Sequence, residues 1–220
     1  GLDASRNTTI YRVLTENLLP TNAYTDWSQF YSIINQCNII IERAPEVSEK
    51  DPVYTESDLK ATQAEMACIR DLCYFYLIRA FKDVPFSFKA KQSELDVEYF
   101  APAKGDSIVP VLIADLEDHV NDALKAYPKD NSRDYNPDCN RITQNAIYAL
   151  LTDLCLWNGD YAKAVVYAQR VIDAKMQKYI EDYSSKLNQG NGGVALFQHA
   201  QDTYSKGFPL YPCFSGSTFG

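Results

Sequence analysis

Between Arg141 and Ala168 the sequence holds two apolar, helix-periodic runs separated only by Gly159-Asp160, and this break constrains the fold more than any other stretch. Thr143 can cap a first helix running to Asn158, and a second runs from Tyr161 to about Lys175. Two helices joined by two residues must pack antiparallel. Ala146, Ala149, Ala164 and Ala168 place small side chains where the helices cross. Gly159 supplies the left-handed cap that so sharp a stop requires. Tyr161 is placed to lean back over the first helix.

Helical periodicity recurs upstream. Asp26 can cap a helix in which Phe30, Ile34, Cys37, Ile41 and Ala44 repeat at steps of three and four; Pro45 is expected to end it. Asn38 falls on that apolar face, so its amide must find partners in a neighbouring helix or loop backbone. Residues 45–56 read as a loop, after which Thr55 or Ser57 starts a helix to about Lys82. Its broad apolar surface, from Ala64 to Phe81, predicts cover on more than one side. Glu65 and Arg70 interrupt that surface five residues apart, a spacing that sends each toward another element. Residues 86–105 read as an irregular loop. Asp106 or Ser107 then caps a helix with Val109, Leu112, Leu116, Val120, Ala123 and Tyr127 along its buried stripe, ended by Pro128.

The remainder is loop-like. Residues 128–140 are polar and rich in Asx turns; three Asp residues invite calcium, but the ligand order and glycine of an EF-hand are missing. Residues 184–193 form a glycine-rich turn without the strand and helix of a nucleotide site. Val194 to Gln198 reads as a short strand, and the tail carries Phe208, Tyr211, Phe214 and Phe219. The expected organisation is an irregular lead over 1–24, a helical domain over 25–183, and a loop-rich tail over 184–220. The first residue is Gly1 and the last residues close no element, so the chain is expected to be a piece of a longer protein.

Composition excludes several functions. The net charge of −8 argues against a nucleic-acid partner, which demands clustered Lys and Arg. No apolar run approaches the roughly 20 residues of a membrane-spanning helix. The six cysteines form no CxxC pair; Cys37, Cys68, Cys73 and Cys155 sit in apolar helical stretches and read as small buried hydrophobes. Cys139 and Cys213 lie in loops, where a bridge stays open. The only histidines, His119 and His199, are far apart, with no nucleophile elbow or HExxH. No catalytic residue, metal site or cofactor is therefore expected.

The hairpin's Tyr148, Leu151, Gly159, Tyr161 and Ala164 fit the tetratricopeptide (TPR) pattern, which specifies a helical hairpin and says little about function. Four passages, in order, resemble the SusD/RagB family of surface glycan-binding lipoproteins. Trp27 through Ile41 is similar to its W-x-x-x-Y-x-x-I-x-x-x-N helix. Ala64-Glu65 through Phe86 resembles A-E-x-x-x-x-R-x-x-x-Y-x-x-L followed by F-G-D-V-P, with Lys82 in place of the glycine, so the turn before Asp83 is expected to differ. Ile113 to Leu116 resembles I-x-x-D-L, and Arg141 to Ile172 resembles the family's I-T…G-D-Y-x-x-A hairpin. Val194 to Phe197 echoes a strand near E-x-I-F, with Ala195 departing from it.

The resemblance implies an all-α fold: TPR-like hairpins in a right-handed superhelical scaffold with long irregular loops. It also implies no catalytic machinery. The implied role is a surface-exposed, lipid-anchored outer-membrane protein that binds oligosaccharide and delivers it to a SusC-like TonB-dependent transporter. Sugar contact needs exposed aromatic faces beside amide or carboxylate groups. Asn22, Tyr24, Asp26 and Trp27 make one such group, and Tyr211 and Phe214 another, although Trp27 also falls on a packing position of the family. The alternative is a generic TPR scaffold for protein partners. It would show three or more regular repeats of about 34 residues, where only one clear hairpin is visible.

Overall fold

The starts and stops of the helices show how this sequence folds. A computed structural model describes residues 8–17, 19, 21–92, 101–127 and 141–186. The helices are α1 (Thr8–Leu14), α2 (Ser28–Lys50), α3 (Glu56–Phe81), α4 (Gly105–His119), α5 (Gln144–Trp157) and α6 (Tyr161–Lys186). A single 3-10 turn, Ala23–Thr25, precedes α2, and one isolated antiparallel bridge joins Val84 to Ala103. Among the described residues there is no strand, so the all-α expectation holds. The chain divides into two compact units, Gly1–Gln144 and Asn145–Gly220.

In the first unit α2 and α3 form an antiparallel pair. Trp27 meets Phe81 at one end, Tyr31 meets Tyr74 inside it, and Gln63 reaches Ile41 toward the other end. Thr55 starts α3 with a full capping box: its Oγ1 accepts from the Asp58 N–H at 3.2 Å, and Asp58 Oδ2 accepts from the Thr55 N–H at 3.0 Å. Because α3 also packs against α4, its buried residues lie almost all around it, as the broad apolar surface predicted. Ala64, Ala67, Leu77, Val109, Leu112 and Leu116 are wholly excluded from solvent. Each such Leu contributes about 2 kcal/mol relative to exposure.

Four expected helix boundaries are corrected. Pro45 does not end α2, which continues to Lys50. Pro45 has no N–H for the Ile41 carbonyl four residues back, and that carbonyl accepts from Gln63 Nε2 at 3.2 Å instead. α4 starts at Gly105 behind Lys104, not behind Asp106 or Ser107, and stops at His119 rather than at Pro128. Past its end, Gln144 engages the Val120 carbonyl through Nε2 (3.0 Å) and the Leu124 carbonyl through its backbone N–H (2.8 Å). These bonds turn residues 120–127 away from a helical path, while Val120, Ala123 and Tyr127 stay buried as expected. α6 runs to Lys186, well past Lys175 and into the stretch read as a loop. Within the 1–24 lead, α1 adds a short helix.

The turn after α3 is formed at the residue that departs from the family pattern. Lys82 takes φ +68° and ψ −70°, and the Asp83 N–H donates to the Phe81 carbonyl at 2.9 Å, closing a three-residue turn. Gly105 backs onto this turn. A Cβ there would stand 2.6 Å from the Lys82 carbonyl oxygen and 2.7 Å from Ile78 Cγ2.

In the second unit α5 ends as Gly159 predicts. Gly159 has φ +77°, its N–H donates to Leu156 O (3.2 Å), and the Asp160 N–H donates to Cys155 O (2.9 Å). These are the paired bonds of a Schellman stop. Asp160 then caps α6, its Oδ1 accepting from the Lys163 N–H at 3.1 Å. Tyr161 is 67% exposed. From α5, Tyr148 reaches α6, stacked on Tyr167 at 5.9 Å with its hydroxyl accepting from Arg170 at 2.7 Å. Of the four alanines named for the crossing, only Ala164 is buried.

Candidate functional site

The group ahead of α2 is built by one side chain, Asn22. Its Oδ1 accepts from the Tyr24 N–H at 3.0 Å, capping the 3-10 turn, and its Nδ2 donates to the Thr9 carbonyl on α1 at 3.3 Å. Asn22 is therefore buried, at 8% exposure, and tethers α1 to this turn. A cavity of about 290 Å³ lies beside it, lined by Thr9, Arg12, Leu19, Thr21 and Asn22. Tyr24, held by that capped turn, is 62% exposed. Asp26 Oδ1 accepts from the Ser28 N–H at 2.9 Å and so serves the first turn of α2 from one residue before the cap position. That bond holds its carboxyl below the usual range. Trp27 is half-buried, edge-on to Tyr31 at 5.9 Å and to Phe81 at 5.2 Å. Tyr211 and Phe214 lie outside the described residues, as do His199, the 128–140 loop and the Val194–Gln198 stretch.

Behind this surface, polar side chains of α2 and α3 hold an extended strap, residues 85–91. Tyr31 Oη donates to the Pro85 carbonyl (2.7 Å) and Tyr74 Oη to the Ser87 carbonyl (2.7 Å). Asn38 Nδ2 reaches the Ser87 and Lys89 carbonyls, both at 3.4 Å. Asn35 pairs twice with Lys91, donating to its carbonyl (2.9 Å) and accepting from its N–H (2.7 Å). Glu42 accepts from the Ala90 N–H at 2.8 Å. Asn38 thus finds the loop-backbone partners its place on an apolar face demands. Asn35, Glu42 and Tyr31 carried no such signal, because each sits at the edge of the apolar stripe and reads as a surface residue.

Glu65 and Arg70 both reach beyond α3, as their spacing predicts. Glu65 takes a two-pronged bond from Arg141 and accepts from the Ile142 N–H at 3.3 Å, pinning the segment that leads into α5. Arg70 donates to Asn38 on α2 at 3.2 Å and to Asp115 on α4, while the Phe88 ring covers its guanidinium at 3.6 Å. It also donates to Asp71 at 3.1 Å. Burial pushes the Cys68 thiol up to about 12 and the Cys73 thiol up to about 11, so neither is a nucleophile near neutral pH. Cys37, Cys68, Cys73 and Cys155 are buried, as read from sequence. Among the described residues no three His, Cys, Asp or Glu side chains gather as metal ligands would, and no helix is long and apolar enough to cross a membrane.

These features define a helical scaffold: an antiparallel α2–α3 pair, a TPR-type turn between α5 and α6, a polar network that fixes a strap, and an aromatic group ahead of α2. No protein-family model matches the chain. Two SusD-like proteins of Formosa agariphila are similar in sequence. One is 26% identical over 108 residues, which is 48% of this chain and 20% of that protein; the other is 25% identical over 147 residues, 67% and 26%. Among solved structures, surface glycan-binding protein A from Bacteroides uniformis matches at a TM-score of 0.62 and 22% identity, over 76% of this chain and 35% of that one. A laminarin-binding SusD-like protein matches at 0.56 and 23%, over 66% and 29%. In sequence and in the fold of its described helices, this chain is similar to SusD-like proteins. It spans about a quarter or less of the curated relatives it matches and about a third of the solved structures.

Proposed function

We propose that this chain is the helical part of a surface glycan-binding protein of a SusCD-type nutrient-uptake system. In this role it binds oligosaccharide without catalysis and passes it to a SusC-like TonB-dependent transporter in the outer membrane. The protein is surface-exposed and held at that membrane by a lipid anchor. The observation that carries the reading is the joint likeness, in sequence and in fold, to SusD-like proteins that include a glycan-binding and a laminarin-binding member. Charge supports it: a net −8 suits neutral, hydroxyl-rich ligands far better than polyanions.

Tyr24 and Trp27, with Asn22 and Asp26 beside them, are the proposed sugar contacts of the described residues. An exposed tyrosine face can stack on a pyranose, and a carboxylate can accept from its hydroxyls. Native gel electrophoresis of the protein through gels cast with a panel of polysaccharides tests the reading. Retarded migration with at least one polysaccharide, and co-purification of a TonB-dependent transporter from outer membranes, are expected. Unretarded migration across neutral and acidic polysaccharides alike, with no transporter recovered, overturns it.

A further inference from the structure

Arginine side chains meet carboxylates in two ways in the first unit. Arg43 sets Nε and Nη2 on the two oxygens of Glu46, at 3.3 and 3.1 Å, and Arg141 holds Glu65 by the same edge. In each case one fork edge meets one carboxylate, and the charges balance. Arg70 is different. Its Nε donates to Asp71 Oδ1 and its Nη2 to Asp115 Oδ2, so the same edge holds one oxygen from each of two carboxyl groups. Adjacent donors of one planar fork set those groups side by side.

The surroundings sharpen the problem. From α2, Asn38 accepts from Arg70 Nη1, and Cys37 faces the same cluster. From α3 come Cys68 and Tyr74, with Glu65 beyond Cys68; from α4 comes His119, whose Nδ1 lies 3.8 Å from Asp115 Oδ1. The Asp71 side chain is fully excluded from water, and its Oδ2 has no hydrogen-bond donor among the described residues. An ionised Asp71 would leave a bare anionic oxygen in the core next to a second carboxylate, with one guanidinium to offset two charges.

We propose that Asp71 is folded in as a neutral carboxylic acid whose Oδ2–H is donated to the Asp115 carboxylate, the two sharing one proton on the edge of Arg70. The orphan oxygen is then a donor, and the cluster is neutral overall. Burial pushes the Asp71 carboxyl well above its ordinary range; Arg70 pulls it down, and the neighbouring Asp115 pushes it up again. α3 and α4 are thereby joined by a proton. The unfolded chain does not hold that proton above about pH 4, so folding takes one up. This contribution to stability is complete below the unfolded pKa and is lost as pH rises through the folded one.

Asp71→Asn tests this directly, because its Oδ1 still accepts from Arg70 and its N–H replaces the acid proton toward Asp115. Urea unfolding of both proteins is measured from about pH 5 to about pH 8. The unfolding constant of the wild type, divided by that of D71N, is expected to rise by about tenfold per pH unit until the folded pKa is passed. His119 and the surface acids are common to both proteins and cancel in the ratio. A ratio that is flat or falls with pH overturns the proposal. Infrared spectra of the wild type, with aspartate carboxyl carbons isotope-labelled, give a second reading that needs no variant to fold. A protonated-carboxyl C=O band that persists at about pH 7 and shifts with the label is expected; its absence overturns the proposal.

Discussion

Lys82 holds a backbone conformation that a side chain resists. Its φ of +68° with ψ of −70°, closed by the Asp83 N–H on the Phe81 carbonyl, is a turn that glycine adopts without cost and other residues adopt under strain. The turn persists because the residues around it leave no alternative. Val84 is wholly buried and bridged to Ala103, and Gly105 presses against the Lys82 carbonyl from the other side. Lys82→Gly is therefore expected to stabilise the protein by about 1 kcal/mol, read as a higher urea midpoint with unchanged slope. An unchanged or lower midpoint would show that the lysine sits there unstrained. The position was legible in the sequence as a departure from the family pattern, but the contacts that hold its backbone were not. The Arg70 partners divide in the same way. Asn38 was legible as a buried amide on an apolar face. Asp71 was not, because a carboxylate in a long helix ordinarily faces water and nothing local says that α4 covers it.

At the scale of elements, the clearest local signals, one helix start and one helix stop, were read correctly. Thr55 at the start of α3 and Gly159 at the end of α5 both bond residues within a few positions of themselves. Two of the misread boundaries involve partners distant in sequence. Pro45 breaks a helix in isolation, yet here Gln63 occupies the carbonyl that proline leaves open. α4 stops early because Gln144, far along the chain, engages the Val120 and Leu124 carbonyls. Pro45 still costs its helix a backbone bond and crowds the preceding turn. Since residue 45 is exposed, Pro45→Ala can be made without disturbing the core. It is expected to raise stability by about 1–2 kcal/mol, the gain in helix bonding less the smaller entropy that proline removes from the unfolded chain. A loss of stability on thermal or urea unfolding would mean that α2 depends on the proline's bend.

At the scale of the whole molecule, a scaffold and a binding surface make different demands on the same aromatic residues. The scaffold was legible because hairpins of periodic helices repeat the same few physical rules. The site was not, because exposed aromatics on irregular segments leave no periodic trace, and part of the proposed contact set lies outside the described residues. Tyr24 and Trp27 separate the two demands. Tyr24 projects from a turn that Asn22 holds through the backbone, so its ring is not needed for that turn. Tyr24→Ala is expected to leave the unfolding midpoint unchanged to within about 0.5 kcal/mol and to weaken polysaccharide binding by about tenfold, near 1.4 kcal/mol. Trp27 packs edge-on against Tyr31 and Phe81 and closes the end of the α2–α3 pair. Trp27→Ala is expected to cost about 2 kcal/mol of stability, less than a fully buried aromatic because the ring is only half-buried. Gel retardation measured with both variants under conditions where each is folded then assigns the contact. If Tyr24→Ala binds as the wild type does, the sugar surface lies elsewhere and this entry to α2 is scaffold alone.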